Sequence, residues 1–314
     1  MAKQTSGVHH ITAIVGHPQE NVDFYAGVLG LRLVKKTVNF DDPGTYHFYF
    51  GDENGSPGSI ITFFPWANAR KGRIGDGQVG VTTYVVPTGA MEFWKSRLEK
   101  YQVSYAESER FGETYLQFDD PHGLHLEIVE RKEGDQNSWS FGDVTPDVAI
   151  KGFGGGILYS SNPTATTKLL EDHMGLEKVG SEGDYVRFRS NASLGNIVDV
   201  KTTIGERGSI GVGIVHHIAW RAEDDQDLLD WQKHLSENGF GVTPVKDRNY
   251  FNSVYFREHG SILFEMATDP PGFAIDEPKE TLGEELKLPP QYETYREQLN
   301  EQLIPIEVRE LDNN

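Results

Sequence analysis

Hydrophobic positions divide the chain into short, repeating blocks. The β-branched run from Val8 to Val15 predicts a strand. After Pro18-Gln19-Glu20-Asn21, the apolar residues Val22, Tyr25, Val28 and Leu29 fall on one face of a predicted helix, and Gly30 supplies the left-handed residue that ends it. Three strand-like runs follow: Leu31 to Val38, Thr45 to Phe50 and Ile60 to Phe64. Asp-Asp-Pro-Gly and Gly-Ser-Pro-Gly mark the turns between them. The order is strand, helix, strand, strand, strand.

That order recurs three times. The second copy predicts a strand at Val79 to Val86, a helix at Ala90 to Lys100, and strands at Val103 to Ala106, Thr114 to Phe118 and Leu124 to Val129. In the third, Gly156 to Ser160 precedes a helix at Ala165 to His173 that stops at Gly175, with strands at Leu176 to Gly180, Tyr185 to Arg189 and Ile197 to Lys201. The fourth opens at Ile214 to Trp220 and has a helix at Gln226 to Asn238. It closes with Gly241 to Val245, Ser253 to Phe256 and Ile262 to Met266. Local matches support a duplication: Gly30-Leu31-Arg32-Leu33-Val34 parallels Gly175-Leu176-Glu177-Lys178-Val179, and Asp120 to Glu127 parallels His259 to Glu265 with an offset of one. The units span 7–66, 79–130, 151–203 and 212–268, with a polar linker at 131–150 and a Pro-rich acidic strap at 269–314. An open sheet of this size buries its concave face by joining another, so an α+β fold of paired βαβββ units is expected.

Composition narrows the function. A net charge of -19 argues against nucleic acid or an anionic membrane as partner, since both need a basic face. The absence of cysteine removes disulfides, thiolate ligands and thiol nucleophiles. Without a long apolar run or the apolar core of a signal peptide, a cytoplasmic protein is expected. Paired sheets have edges that associate, which allows a homo-oligomer.

The chemistry lies in a second repetition. Val8-His9-His10-Ile11 and Val215-His216-His217-Ile218 spell the same four residues at the opening strands of the first and fourth units. Neighbours on a strand face opposite ways, so at most one histidine of each pair points into a barrel unless a bulge intervenes. Glu265 shares a strand face with Leu263 and Ala267, and a carboxylate there demands a partner. A metal would satisfy it and account for the histidines. Two imidazoles and one carboxylate form the open facial set of non-haem Fe(II) oxygenases.

Four βαβββ units with histidines opening two of them and a late glutamate resemble the vicinal oxygen chelate superfamily, which includes glyoxalase I and the type I extradiol dioxygenases. Phe40-Asp41-Asp42-Pro43, Gly58 to Trp66, Val215 to Ala219 and Phe264 to Asp269 look like the hydroquinone-type ring-cleaving dioxygenases. The resemblance implies metal ligands His10, His217 and Glu265, and an outer shell of Thr12, His216, Arg248 and Tyr255, with His9 in a supporting role. His216 needs a local bulge to reach the site, and it is the candidate for the acid–base step.

One metal shared by units one and four requires them to form one barrel, leaving units two and three to form the other. Unit three opens with glycines and has no histidine, so Glu127 lacks partners for a matching site and the second barrel is expected to be structural. His122 and His259 read as turn residues. The resemblance implies Fe(II), with Zn(II), Ni(II) or Mn(II) as alternatives, and a small aromatic substrate with O₂. Two other readings keep the fold: a glyoxalase-like isomerase or lyase, and a non-catalytic protein that binds an aromatic ligand.

Overall fold

The computed structural model describes residues 3–311. Its α+β architecture consists of four βαβββ units in two eight-stranded sheets. Unit one comprises β1 (Val8–Val15), α1 (Pro18–Val22), β2 (Arg32–Asn39), β3 (Asp42–Gly51) and β4 (Ile60–Pro65). Unit two follows with β5 (Gln78–Val86), α2 (Met91–Lys100), β6 (Tyr105–Arg110), β7 (Glu113–Asp119) and β8 (His125–Glu130). Unit three contains β9 (Gly152–Tyr159), α3 (Pro163–Lys168), β10 (Glu177–Glu182), β11 (Tyr185–Arg189) and β12 (Ile197–Lys201). Unit four contains β13 (Ile214–Ala222), α4 (Asp225–Glu237), β14 (Lys246–Asp247), β15 (Phe251–Arg257) and β16 (Leu263–Pro271).

In each unit the first strand lies parallel to the fourth, and two first strands meet antiparallel at the centre of each sheet. One sheet runs β14-β15-β16-β13-β1-β4-β3-β2 and the other β10-β11-β12-β9-β5-β8-β7-β6. Units one and four therefore share a sheet, as do units two and three. Every residue of β1 is buried, including the polar His9, His10 and Thr12. The outer strands β6 and β10 are charged and exposed, which blunts them against edge-to-edge pairing.

Helices α1, α3 and α4 begin where a capping side chain satisfies a free backbone N–H group. His17, Asn162 and Asp224 accept from Gln19, Ala165 and Asp227, with proline at the first turn in the first two cases. Helices α1 and α3 each widen into a π-helical turn, Asp23–Val28 and Leu169–His173, which apolar spacing does not reveal. Gly30, Gly175 and Gly239 follow their helices with positive φ.

Three predicted boundaries are corrected. Gly241 to Val245 is not a strand: Val242 makes one isolated bridge to Phe256, and only Lys246–Asp247 pairs with β15. Pro244 has no N–H for a ladder there. Asp42 to Gly44, expected as a turn, belongs to β3, leaving Phe40 and Asp41 at the hairpin tip. Gly152 to Gly155, expected to precede a strand, lie within β9.

After β16 the chain runs back across β2 and β3. Buried Lys35 donates to Asp276 (2.6 Å) and to Glu277, Lys287 N bonds Lys36 O (2.9 Å), and Tyr292 Oη donates to Phe40 O (2.8 Å). Gly283 lies so close to Leu33 that a Cβ would meet its carbonyl oxygen at 1.7 Å. Phe273 packs against Tyr49 and Tyr250. These contacts hold the β2–β3 hairpin, whose tip borders the site.

Candidate metal centre

Two β-bulges resolve the paired histidines. In the β1–β13 ladder, Val8 faces Trp220 and His10 faces Ala219, so His9 is an extra residue on β1. Further along, Thr12 faces His217 and Ala13 faces Val215, so His216 is an extra residue on β13. A bulge sets two residues against one and breaks strict alternation. Each histidine pair consequently comes together: His9 Nδ1 is 2.9 Å from His10 Nδ1, and His216 Nδ1 is 2.7 Å from His217 Nδ1.

With their Nδ1 atoms so engaged, His10 and His217 turn their Nε2 atoms toward Glu265. Glu265 Oε2 is 2.8 Å from His217 Nε2 and 3.3 Å from His10 Nε2, and the two nitrogens are 3.4 Å apart. Ligand atoms about 2.0–2.2 Å from an ion and at right angles to each other lie roughly 3 Å apart. The triad fits that spacing. Glu265 is fully buried, and Ser253 Oγ donates to its Oε1, whereas Oε2 has no well-directed donor. An orphaned carboxylate oxygen aimed at two imidazole nitrogens suits a cation, so these residues fit a divalent metal. Burial alone would raise the Glu265 carboxyl, but the two imidazoles hold it well below the usual carboxylate range. Burial also lowers His217.

A metal-bearing Nε2 leaves Nδ1–H as a donor. His9 and His216 would then accept on their own Nδ1 atoms, which requires them to be neutral. Burial enforces this, lowering His9 far below its ordinary value and His216 to about 3.

The predicted outer shell gathers around the same point. Thr12, His216, Arg248 and Tyr255 border a cavity of about 160 Å³ together with His10 and His217. Arg248 donates from Nε to Tyr255 Oη (3.1 Å) and reaches Asp41 Oδ2 at 3.4 Å at the β2–β3 hairpin tip. Burial and the neighbouring Glu265 raise the Tyr255 phenol. His9 is buried behind the cavity, against Phe251. Tyr49, Phe64, Trp66 and Phe251 form an aromatic wall. Sequence reasoning missed His47, which also borders the cavity. Its signal is the run Tyr46-His47-Phe48-Tyr49-Phe50, in which 46, 48 and 50 take the core and 47 and 49 the opposite face.

The second sheet repeats the framework with different chemistry. Thr62, Glu127, Asp199 and Glu265 hold one position in the four units, opposite Thr12, Thr83, Ile157 and Ala219. Counting back along the first strands by the same register, Val81 and Gly155 stand where sheet one has His10 and His217. A Cβ on Gly155 would lie 1.4 Å from Ile197 O, so no histidine fits without moving the backbone. Arg110 grips Glu127 with Nη1 and Nη2 (2.9 and 2.6 Å) and Asp199 with Nε (2.8 Å), while Arg187 forks onto Asp199. A guanidinium thus occupies the cation position. A larger open groove of about 1040 Å³ lies beside this sheet. Of its five acidic residues, Asp23, Asp119 and Glu127 pair with Arg309, His125 and Arg110, and Asp120 accepts from Tyr25 Oη and two backbone N–H groups; the smaller cavity, where two imidazoles and a carboxylate converge, is the better candidate for chemistry.

Fold and triad together define a βαβββ protein with a buried site that fits a metal, and sequence comparison shows its family. The profile of the "Glyoxalase/Bleomycin resistance protein/Dioxygenase superfamily" matches residues 7–128 and 153–276, and the chain belongs to this superfamily. A Bacillus subtilis (strain 168) protein named "Putative ring-cleaving dioxygenase MhqO" is 70% identical over 99% of this chain and 100% of its own length. The "Chlorohydroquinone/hydroquinone 1,2-dioxygenase" of Sphingobium indicum is 36% identical, covering 95% of this chain and 96% of that one. A crystal structure titled as a putative dioxygenase from Bacillus subtilis superposes with a TM-score of 0.98 at 70% identity, covering 99% of this chain and 100% of that chain. Maize glyoxalase I shares the fold at a TM-score of 0.62 and 11% identity, covering 84% of this chain and 92% of that one.

Proposed function

We propose that the protein is an Fe(II)-dependent, extradiol-type ring-cleaving dioxygenase acting on a hydroquinone or catechol. The observation that carries this reading is the convergence of His10 Nε2, His217 Nε2 and Glu265 Oε2 at the edge of an aromatic-walled cavity. The names of the relatives, which match along nearly their whole length, support it. Fe(II) bound to such a set supplies one-electron exchange with O₂, which Zn(II) cannot.

The remaining chemistry belongs to the chain. The cavity of about 160 Å³ compares with the roughly 150 Å³ that holds a benzene, so it suits one ring with small substituents. Tyr49, Phe64, Trp66 and Phe251 enclose the ring and exclude water. Arg248, kept charged beside Tyr255, Asp41 and Glu265, favours a ring oxygen that has lost its proton. His216, neutral with its Nδ1 accepting from His217, can present its Nε2–H to the cavity as a donor, and Tyr255 can donate a hydrogen bond to the same oxygen.

Oxygen uptake tests the reading. Protein loaded anaerobically with Fe(II) should consume O₂ with a hydroquinone or a catechol and give a ring-opened product. No uptake with any member of the panel would reject it.

A further inference from the structure

His47 has no role in the function described so far, yet the internal symmetry of the sheet puts it at the centre. Tyr49 lies opposite Thr62 in β3–β4, and Tyr255 lies opposite Glu265 in β15–β16, so the two tyrosines are equivalent. Two residues earlier on each strand stand His47 and Ser253. Ser253 hydrogen-bonds Glu265, while His47 Nε2 hydrogen-bonds Thr62 Oγ1 at 2.9 Å. Unit one thus mirrors the serine–glutamate pair with a histidine–threonine pair, of which His47 borders the cavity.

The hydrogen bonds around His47 form a chain with one favoured direction. Tyr49 Oη lies 3.0 Å from His47 Nδ1, and a phenol is a better donor than acceptor toward a neutral imidazole. With Nδ1 accepting, Nε2–H donates to Thr62 Oγ1. Thr62 must then direct its own hydrogen to Thr12 Oγ1, 2.9 Å away. Thr12 borders the cavity, and its hydroxyl hydrogen has no acceptor among the described residues. The chain therefore ends in an O–H donor aimed at whatever occupies the cavity.

We propose that His47 is a further positioning residue of this site: through Thr62 it fixes the Thr12 hydroxyl as a donor to an ionised oxygen on the bound ring. The inference rests on the reading of the cavity as a site for a hydroxylated ring.

The test compares 4-nitrophenol with nitrobenzene, which lacks the oxygen, as ligands of the full chain loaded with redox-inactive Zn(II). The visible band of bound nitrophenolate at fixed pH reports the ionised fraction directly. His47→Phe and the isosteric Thr62→Val should each reduce the nitrophenol-to-nitrobenzene affinity ratio by about tenfold, near the lower range for a hydrogen bond to a charged group. The nitrophenolate band should fall with it. His47→Gln, whose amide can still donate to Thr62, should stay within about threefold of wild type. Wild-type ratios in both His47→Phe and Thr62→Val would overturn the proposal. So would a loss in His47→Gln as large as in His47→Phe, because the imidazole would then act by shape alone. Should His47→Phe fail to fold, Thr62→Val decides. Absence of O₂ uptake by Fe(II)-loaded wild type would sink the dioxygenase reading while leaving this binding result to stand or fall by itself.

Discussion

The Nδ1 atoms of His216 and His217 lie 2.7 Å apart, and a bulge in β13 puts them there. The same relation joins His9 to His10 at 2.9 Å. A metal ligand's other ring nitrogen usually donates to a carboxylate or a carbonyl. Here each ligand meets a second imidazole, a weaker acceptor that serves only while neutral. Burial provides that condition.

Removing this acceptor should loosen the metal without removing a ligand. His216→Ala leaves His217 Nδ1–H unpaired in a buried site, and outer-shell losses of this kind cost about 10–100-fold in affinity. Competition against a chromogenic chelator measures it. An unchanged affinity would show that the His216–His217 contact does not orient the ligand. Glu265→Ala, by contrast, should abolish binding of stoichiometric metal.

Much of this was legible in the sequence, for identifiable reasons. The repeated Val-His-His-Ile and the strand glutamate could be read because few other arrangements satisfy two histidines and a carboxylate in apolar runs. Unit pairing followed from which units carry them. The bulges were legible only as a requirement, since nothing in Val215-His216-His217 states which residue will be extra. His47 was obscured because a histidine among aromatic residues reads as core. The π-helical turns after Val22 and Lys168 were invisible, as apolar spacing does not distinguish i→i−5 from i→i−4 bonding. Arg110 was also missed: its contact with Glu127 depends on the β6–β7–β8 register.

Metal-free protein should lose stability as pH falls from about 7 toward 5. His9, His47, His216 and His217 all have folded pKa values below the unfolded value of 6.5, so the unfolded chain binds more protons in this window. Each contributes up to about 1.4 kcal/mol per pH unit below its unfolded pKa, and the contribution is fully present above it. Buried Asp120, raised to about 6, and Glu258, also raised, oppose the trend from their unfolded values upward. With His122, also lowered by burial, five histidines outweigh two carboxyls, so the slope keeps its sign. At lower pH the depressed Glu265 adds a further loss as it protonates. Urea midpoints of chelator-treated protein across this range check the sign, and a flat profile would contradict it.

The guanidinium of the second sheet should matter to folding and not to metal. Arg110→Met leaves Glu127 fully buried without its bidentate partner and removes one of the two guanidinium groups on Asp199. Breaking one partner out of a buried pair costs about 3–5 kcal/mol. Chemical denaturation should show that loss. Metal stoichiometry of the surviving folded protein should stay at one per chain, because no side chain of sheet two ligates. A drop in stoichiometry would mean that the two sheets are coupled.

Ring size should limit turnover more than ring electronics. The cavity of about 160 Å³ is lined by Phe64, Trp66 and Phe251 and by the hairpin tip at Phe40 and Asp41. Tyr292 Oη and the salt-bridged Lys35 tie that hairpin to the C-terminal strap, so it cannot swing away without breaking buried polar contacts. A fused second ring exceeds a volume that matches a single benzene. Naphthalene-1,4-diol should therefore react at least about a hundredfold more slowly, in kcat/KM, than hydroquinone, an overpacking cost of roughly 3 kcal/mol. Phe64→Ala removes the ring that packs on His47 and Trp66, and should recover part of the bicyclic rate while weakening hydroquinone. Equal rates for the two diols in wild-type protein would show that the hairpin opens, and would move the determinant of specificity from the aromatic wall to the Lys35–Glu277 clasp.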